Sequence, residues 1–156
     1  MLFSTFATTM SDKEIFTQKA QTLYAVCFQQ ACPLREDCLR WLVGEEMPAT
    51  KWYYTCVNHR MEGVGTSQCP SHRPRKKVMM ARGMTGTFTA DMPQRVLRGV
   101  RSDLISVFGR TTYFKYRRGE NLLHPTQQER VKSIFRRYGW TEEVRFDQYE
   151  EHFDWE

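Results

Sequence analysis

Cysteines are the side chains of this sequence whose type and spacing could do chemistry. Cys27, Cys32 and Cys38 have four and then five residues between them, and Cys56 and Cys69 follow. Zinc and iron bind thiolates in tetrahedral sulfur surroundings, and iron–sulfur segments often use long loops between cysteines. The pattern predicts that four of the cysteines converge on zinc or on a [4Fe-4S] cluster. The alternative is that they are ordinary small apolar side chains of the core.

Length and composition set the class of protein. The chain has 156 residues, of which 40% are hydrophobic and 26% are charged, and this composition is typical of one soluble globular domain. No apolar run reaches the length of a membrane-spanning helix, and residues 1–10 lack the basic start of a signal peptide. An odd number of cysteines without an export signal favours thiols or thiolate ligands in the cytoplasm over a disulfide framework.

The elements of the first half must position the cysteines. Ser11 and Glu14 have the spacing of a capping box, which predicts a helix that starts near Asp12 and continues to Cys27. Pro33 favours a short helix over 35–43 that Gly44 ends, so that Cys32 and Cys38 flank or begin it. The aromatic and β-branched residues of 52–57 predict a strand.

The second half has stronger periodicity. An apolar stripe after Pro93 predicts an amphipathic helix that ends at Gly109. Alternating residues at 111–116 predict a strand, and Pro125 opens a further helix to Arg137 or Tyr138. The fold class expected is α+β, a predominantly helical single domain with a small antiparallel sheet. The expected domain begins with a frayed lead at 1–10, and Met10 is an alternative start. A cysteine-bearing segment follows at 11–69, and then a basic linker at 70–82. Residues 83–156 form a helix–strand–helix unit with an acidic aromatic tail.

Charge is unevenly distributed along the chain. Residues 92–138 hold 11 basic and three acidic side chains, whereas residues 139–156 hold seven acidic side chains and one arginine. The basic helices predict a face for the phosphate backbone of a nucleic acid, or for an acidic protein. The alternative is that these side chains are solvated or pair with the acidic tail. The residues assigned to phosphate contact are Arg95, Lys115, Arg117, Arg118, Arg136 and Arg137.

Two resemblances add to the patterns. The stretch Cys32-Pro33-Leu34-Arg35-Glu36-Asp37-Cys38-Leu39 resembles the cluster segment of WhiB-like iron–sulfur regulators over about eight residues. A broader likeness rests on Cys27-x4-Cys32-Pro33-x4-Cys38-Leu39-Arg40, Cys69, the stretch 113–119 and the closing aromatic residues up to Phe153-Asp154-Trp155. Through these, most of the chain is similar to a family of uncharacterised bacterial proteins, typical of gut Bacteroidales and classed as a domain of unknown function (DUF6078). The wider likeness implies a fold family and no activity, and it implies that Cys27, Cys32, Cys38 and Cys69 are the metal ligands and Cys56 is a spare thiol. His72 is a substitute ligand for zinc.

The function expected is that of a cytoplasmic binding or regulatory protein with a cysteine-ligated zinc or iron–sulfur centre. A basic face for nucleic acid accompanies the centre, and no membrane is involved. An enzyme is less favoured, because the histidines match no catalytic motif. The alternatives are a small thiol or iron–sulfur redox enzyme, or a protein-interaction domain without a cofactor.

Overall fold

The first helix begins where its capping box predicts. The structure is a computed structural model that describes residues 10–156, so the predicted lead lies outside the described residues except for Met10. Helix α1 spans Asp12–Ala20, and Ser11 and Glu14 exchange side-chain and backbone hydrogen bonds at its start. The helix stops well before Cys27, because the Thr22 hydroxyl donates to the carbonyl of Lys19 at 2.7 Å and folds the chain into a turn.

The chain divides into two compact units. Unit 1 comprises Met1–Lys76 together with Asp154–Glu156, and unit 2 comprises Lys77–Phe153. The expected count of one domain stays a prediction.

Unit 1 contains little regular structure. After α1 come a 3-10 helix over Arg35–Asp37 and helix α2 over Leu39–Glu45. The single helix expected over 35–43 is therefore wrong, because Cys38 interrupts it in an extended conformation with φ −110° and ψ 112°. A backbone bridge to Pro74 holds Cys38 extended and competes with helical hydrogen bonds at that point. Helix α2 then continues through Gly44.

The strand expected over 52–57 is also wrong. This segment has one isolated bridge, in which Cys56 pairs with Val26 in parallel. Trp52 and Tyr53 are 98% and 82% exposed, so their side chains have no packed surface to hold a strand in place. Aromatic β propensity without a neighbouring strand does not form a sheet.

The sheet of unit 2 uses a segment that the sequence predicted to be a linker. Strand β1 spans Lys77–Arg82, so the basic linker at 70–82 is wrong for its second half. This strand lies at the centre of a three-stranded antiparallel sheet, with β2 (Leu122–Leu123) on one side and β3 (Gln148–Phe153) on the other. The register pairs Lys77 with Phe153.

The helices of unit 2 pack beside this sheet. Helices α3 (Gln94–Phe108) and α5 (Pro125–Arg137) confirm the two amphipathic helices. The strand expected over 111–116 is wrong, because Arg110–Arg117 forms helix α4. Gly109, with φ 80°, turns the chain between α3 and α4, and the helical conformation buries Tyr113 completely in the core.

The fold class is confirmed as α+β with a small antiparallel sheet. The acidic aromatic tail supplies β3, and Phe146 and Phe153 are buried. None of the helices within residues 10–156 has the length and apolar character needed to cross a membrane.

One ion-pair network joins the two long strands. Both terminal oxygens of Glu150 on β3 accept from the guanidinium of Arg82 on β1, and His152 also bonds the Glu150 carboxylate at 3.0 Å. These hydrogen bonds from Arg82 and His152 lower the pKa of Glu150 to about 2.

We predict that this network makes the stability of unit 2 depend on acid. Because the Glu150 pKa is lowered by folding, its contribution is present above the unfolded pKa, near 4.5, and is lost as the pH falls towards 2. Hydrogen exchange of the β1 and β3 amides, followed as urea is raised, should show wild type more stable than Glu150→Gln at pH 6, with the difference shrinking by pH 2.5. A difference that stays constant over this range would contradict the assignment.

Candidate metal centre

Four cysteines line one pocket of unit 1. The residues are Cys27, Cys32, Cys38 and Cys69, which are the four assigned as ligands from the sequence. Cys38 is buried, the other three are partly buried, and Cys56 is exposed and does not line this pocket. The structure therefore brings the predicted quartet together and leaves the predicted spare thiol outside.

The pKa of the Cys27 thiol depends on the other three cysteines of the pocket. Burial raises the pKa of the Cys27 thiol, and a hydrogen bond from the Gln29 backbone opposes this. The charges of Cys38, Cys32 and Cys69 raise it further, so each lies within electrostatic range of Cys27. A raised pKa disfavours the free thiolate, whereas a bound cation would favour it.

Backbone pairing places the first cysteine. Val26 accepts from the N–H of Val57 at 2.9 Å and donates to the carbonyl of Thr55 at 3.0 Å. Cys27 then donates its own N–H to the carbonyl of Arg40 at 3.0 Å. Cys27 is thus held between residues 55–57 and helix α2.

The second and fourth cysteines lie in similar turns. The carbonyl of Cys32 accepts from the N–H of Arg35 at 3.3 Å, and the carbonyl of Cys69 accepts from the N–H of His72 at 3.1 Å. Each cysteine therefore begins a tight turn. Short turns of this kind hold a ligand side chain on one side of the backbone.

The third cysteine stands at the N-terminus of helix α2. The Cys38 carbonyl accepts from Leu42 at 3.0 Å, and the residues that flank it pair with a neighbouring segment. Leu39 donates to the carbonyl of Arg73 at 2.8 Å, and Arg75 donates to the carbonyl of Asp37 at 2.9 Å. This two-sided pairing fixes Cys38 in its extended conformation.

Arg40 joins two of the cysteine-bearing segments. Its Nη1 donates to the carbonyl of Ala25 at 2.7 Å, and its Nε donates to the carbonyl of Ser71 at 2.9 Å. Ala25 precedes Cys27 by two residues and Ser71 follows Cys69 by two. One guanidinium, itself lining the pocket, therefore connects the segments of Cys27 and Cys69.

A glycine allows the close approach of Cys27 to helix α2. A Cβ atom on Gly44 would lie 2.6 Å from the carbonyl oxygen of Cys27. That contact is too short for any side chain, so only glycine permits this packing. The sequence alone predicts a different role for Gly44, that of ending the helix expected over 35–43.

Two histidines lie near the cysteines. The Nε2 of His59 is 3.6 Å from the sulfur of Cys27. His72 lines the pocket, and its Nε2 is 3.3 Å from the carbonyl oxygen of Asp37. The role of His72 as a substitute zinc ligand stays a prediction, and His59 was not expected at the site.

The described residues do not form a site for a single ion. Within residues 10–156, no three side chains of His, Cys, Asp or Glu come together closely enough to hold one metal ion. In a tetrahedral zinc site the Zn–S distance of about 2.3 Å would place the sulfur atoms about 3.8 Å apart. The four thiols share a pocket without reaching that arrangement.

The residues assigned to nucleic acid all belong to unit 2, and three of them are engaged in ion pairs. Arg118 pairs with Glu120 at 2.6 Å, and Arg137 pairs with Asp103 at 3.2 Å. Arg136 lies 3.8 Å from Glu129. Arg117 lies over the ring of Phe88. Arg95 is exposed on α3 and Lys115 is exposed on α4, so the six residues do not share one element.

Sequence reasoning missed the residues that support the pocket. Arg40, Gln29 and Trp41 line it, and none belongs to a metal-ligand motif. Arg40 acts through backbone carbonyls, which have no sequence signal. The short spacing from Cys38 to Arg40 and Trp41 was the only indication available that these side chains lie nearby.

Fold and pocket together define a small α+β protein with a cysteine-lined site. The chain belongs to the family of unknown function DUF6078, which matches residues 10–155. The expected family is thereby confirmed, while the local likeness to WhiB-like proteins stays a prediction. No curated protein and no solved structure matches the chain.

We predict that Arg40 is needed to hold the ligand segments together. Arg40→Lys keeps the charge but cannot donate in a fork to both carbonyls, so unit 1 should lose about 1–3 kcal/mol of unfolding free energy. Urea unfolding followed by tryptophan fluorescence measures this loss. The control is Arg60→Lys on an exposed loop, and an equal effect of both substitutions would contradict the prediction.

Proposed function

We propose that unit 1 binds an iron–sulfur cluster of the [4Fe-4S] type through Cys27, Cys32, Cys38 and Cys69. In this proposal the chain is a cytoplasmic binding or regulatory protein, and the cluster pins unit 1 and responds to redox conditions. The observation that carries the proposal is that four of five cysteines, drawn from separate stretches of backbone, line one pocket while the fifth does not line it.

The spacing of the cysteines along the chain favours a cluster over a single zinc ion. Four and five residues separate Cys27, Cys32 and Cys38, and iron–sulfur segments often use long loops between cysteines. In a cluster each thiolate binds its own iron at a separate corner.

The surroundings of the pocket suit a charged sulfur centre. Four thiolates on a [4Fe-4S] core leave net negative charge, and Arg35 and Arg40 both line the pocket. Guanidinium groups nearby offset that charge in a partly buried site. The Cys27 sulfur also has the ring nitrogen of His59 at 3.6 Å.

The architecture of unit 1 supports a structural role for the centre. Unit 1 has seven buried apolar side chains among its described residues, one of which is Cys38, against 15 in unit 2. Residues 46–76 contain no helix or strand. A metal centre would add stability to a small core with long irregular segments.

A thiol enzyme has less support. A catalytic cysteine needs a lowered pKa, and burial raises that of Cys27. The exposed Cys56 has no charged or basic partner among the contacts of the described chain. The geometry therefore supports a binding or regulatory function better than nucleophilic chemistry.

We predict that iron uptake requires the cysteines of the pocket but does not require Cys56. Protein reconstituted without oxygen, with iron and sulfide, should take up about four iron and four sulfide per chain and turn brown. Cys32→Ala and Cys38→Ala should lose the colour and most of the iron. Cys56→Ala is the matched control and should load like wild type.

Three results would overturn the proposal. Iron uptake that is equally reduced in all three variants would show that the loading is nonspecific. About one zinc and no sulfide per chain would establish a single-ion site instead. Folded protein that takes up neither metal would leave the cysteines as ordinary thiols.

A further inference from the structure

A cluster of arginines without carboxylate partners lies at the corner between helices α3 and α4. The three acidic residues of 92–138 are all engaged elsewhere: Asp103 with Arg137, Glu120 with Arg118, and Glu129 with Lys132 and Arg136. No ion pair forms at Arg101, Arg110 or Arg117 within residues 10–156. Unit 2 carries 14 basic and nine acidic residues, which leaves it an excess of five positive charges.

Aromatic rings gather these arginines. The guanidinium of Arg101 lies 5.7 Å from the ring centroid of Phe114, and that of Arg110 lies 5.6 Å from the same ring. Burial raises the pKa of Tyr113, whereas the charges of Arg117 and Arg101 and a hydrogen bond from Arg117 lower it. Arg101 therefore interacts with both aromatic side chains, Phe114 and Tyr113.

The arginines lie around a buried aromatic side chain. Tyr113 is fully buried, and Arg117 interacts with its hydroxyl, so the outer face of the cluster is formed by Arg101 and Arg110. The positive charges of Arg101 and Arg110 repel each other beside the Phe114 ring, and a bound anion would reduce this repulsion. Arg101 and Arg110 are exposed, so an anion can reach them from solvent.

We infer that Arg101, Arg110 and Arg117 form a contact site for the phosphate backbone of a nucleic acid. Guanidinium groups bind phosphate oxygens through paired hydrogen bonds. Arg101 and Arg110 lie over the ring of Phe114, and Arg117 lies over that of Phe88. The site shares Arg117 with the basic face expected from sequence and adds Arg101 and Arg110, which are brought together on the ring of Phe114. It does not rest on the metal centre of unit 1.

The proposal predicts a specific salt dependence of binding. Each neutralised phosphate contributes about −0.9 to the slope of log K against log salt, so three contacts give about −2.7. The probe is a fluorescent DNA duplex of mixed sequence, titrated with the full chain over a range of monovalent salt. Arg101→Gln with Arg110→Gln should reduce the slope by about 1.8 and weaken binding about 60-fold at 0.1 M salt.

The matched control removes the same net charge from paired arginines. Arg118→Gln with Arg136→Gln should leave the slope unchanged, because both side chains already bind carboxylates. Arg101→Lys with Arg110→Lys keeps the charge, so the slope should persist while affinity falls, and this variant covers the case in which the glutamine variant does not fold. Equal losses in the glutamine pair and its control would overturn the proposal.

The competing source of phosphate is a small molecule. Inorganic phosphate at constant ionic strength should compete with the duplex no better than chloride does. Tight binding of inorganic phosphate that Arg101→Gln abolishes, without binding of the duplex by wild type, would overturn the nucleic-acid site. Absence of duplex binding at low salt would also overturn it.

Discussion

The guanidinium of Arg40 joins the two ends of the cysteine-bearing region, and the pocket depends on it. Its hydrogen bonds to Ala25 and Ser71 connect chain segments 46 residues apart in sequence. Gly44 permits the same approach from the side of helix α2, since a Cβ there would collide with Cys27. Without these contacts, few interactions would hold the four cysteine-bearing segments together, because they contain little regular structure.

Unit 1 and unit 2 are stabilised in different ways. Unit 2 has a sheet with continuous backbone pairing and a core of buried side chains from α3, α4 and α5, including Leu104, Tyr113 and Phe135. Unit 1 has short helices, isolated bridges and a small core. A metal centre would supply to unit 1 the long-range constraint that the sheet supplies to unit 2.

The parts of the fold that were predictable from sequence are those with strong local signals. The capping box of Ser11 and Glu14, and the apolar stripes of α3 and α5, act through nearby residues. The segment at 111–116 was mistaken for a strand because its β-branched and aromatic residues suit both structures, and burial of Tyr113 against α3 decides for the helix. Strand β1 was missed because its basic residues alternate poorly, and Met80 and Ala81 are buried only in the folded unit, where β1 pairs with strands distant in sequence.

The candidate site shows the same division. The cysteine ligand set was expected from family resemblance, and the structure gathers those four thiols in one pocket. Arg40 and His59 were not expected, because they contact the cysteine segments through tertiary placement alone. The unpaired arginines of unit 2 required knowledge of which carboxylates are already engaged, and sequence spacing does not contain that information.

X-ray absorption at the iron edge of the loaded chain tests the central claim most directly. The account predicts a first shell made only of sulfur and a second shell of iron, because each thiolate binds one iron of a cluster. Iron surrounded by oxygen or nitrogen, or a first shell of sulfur with no iron neighbour, would contradict a cysteine-bound cluster in the pocket of Cys27, Cys32, Cys38 and Cys69.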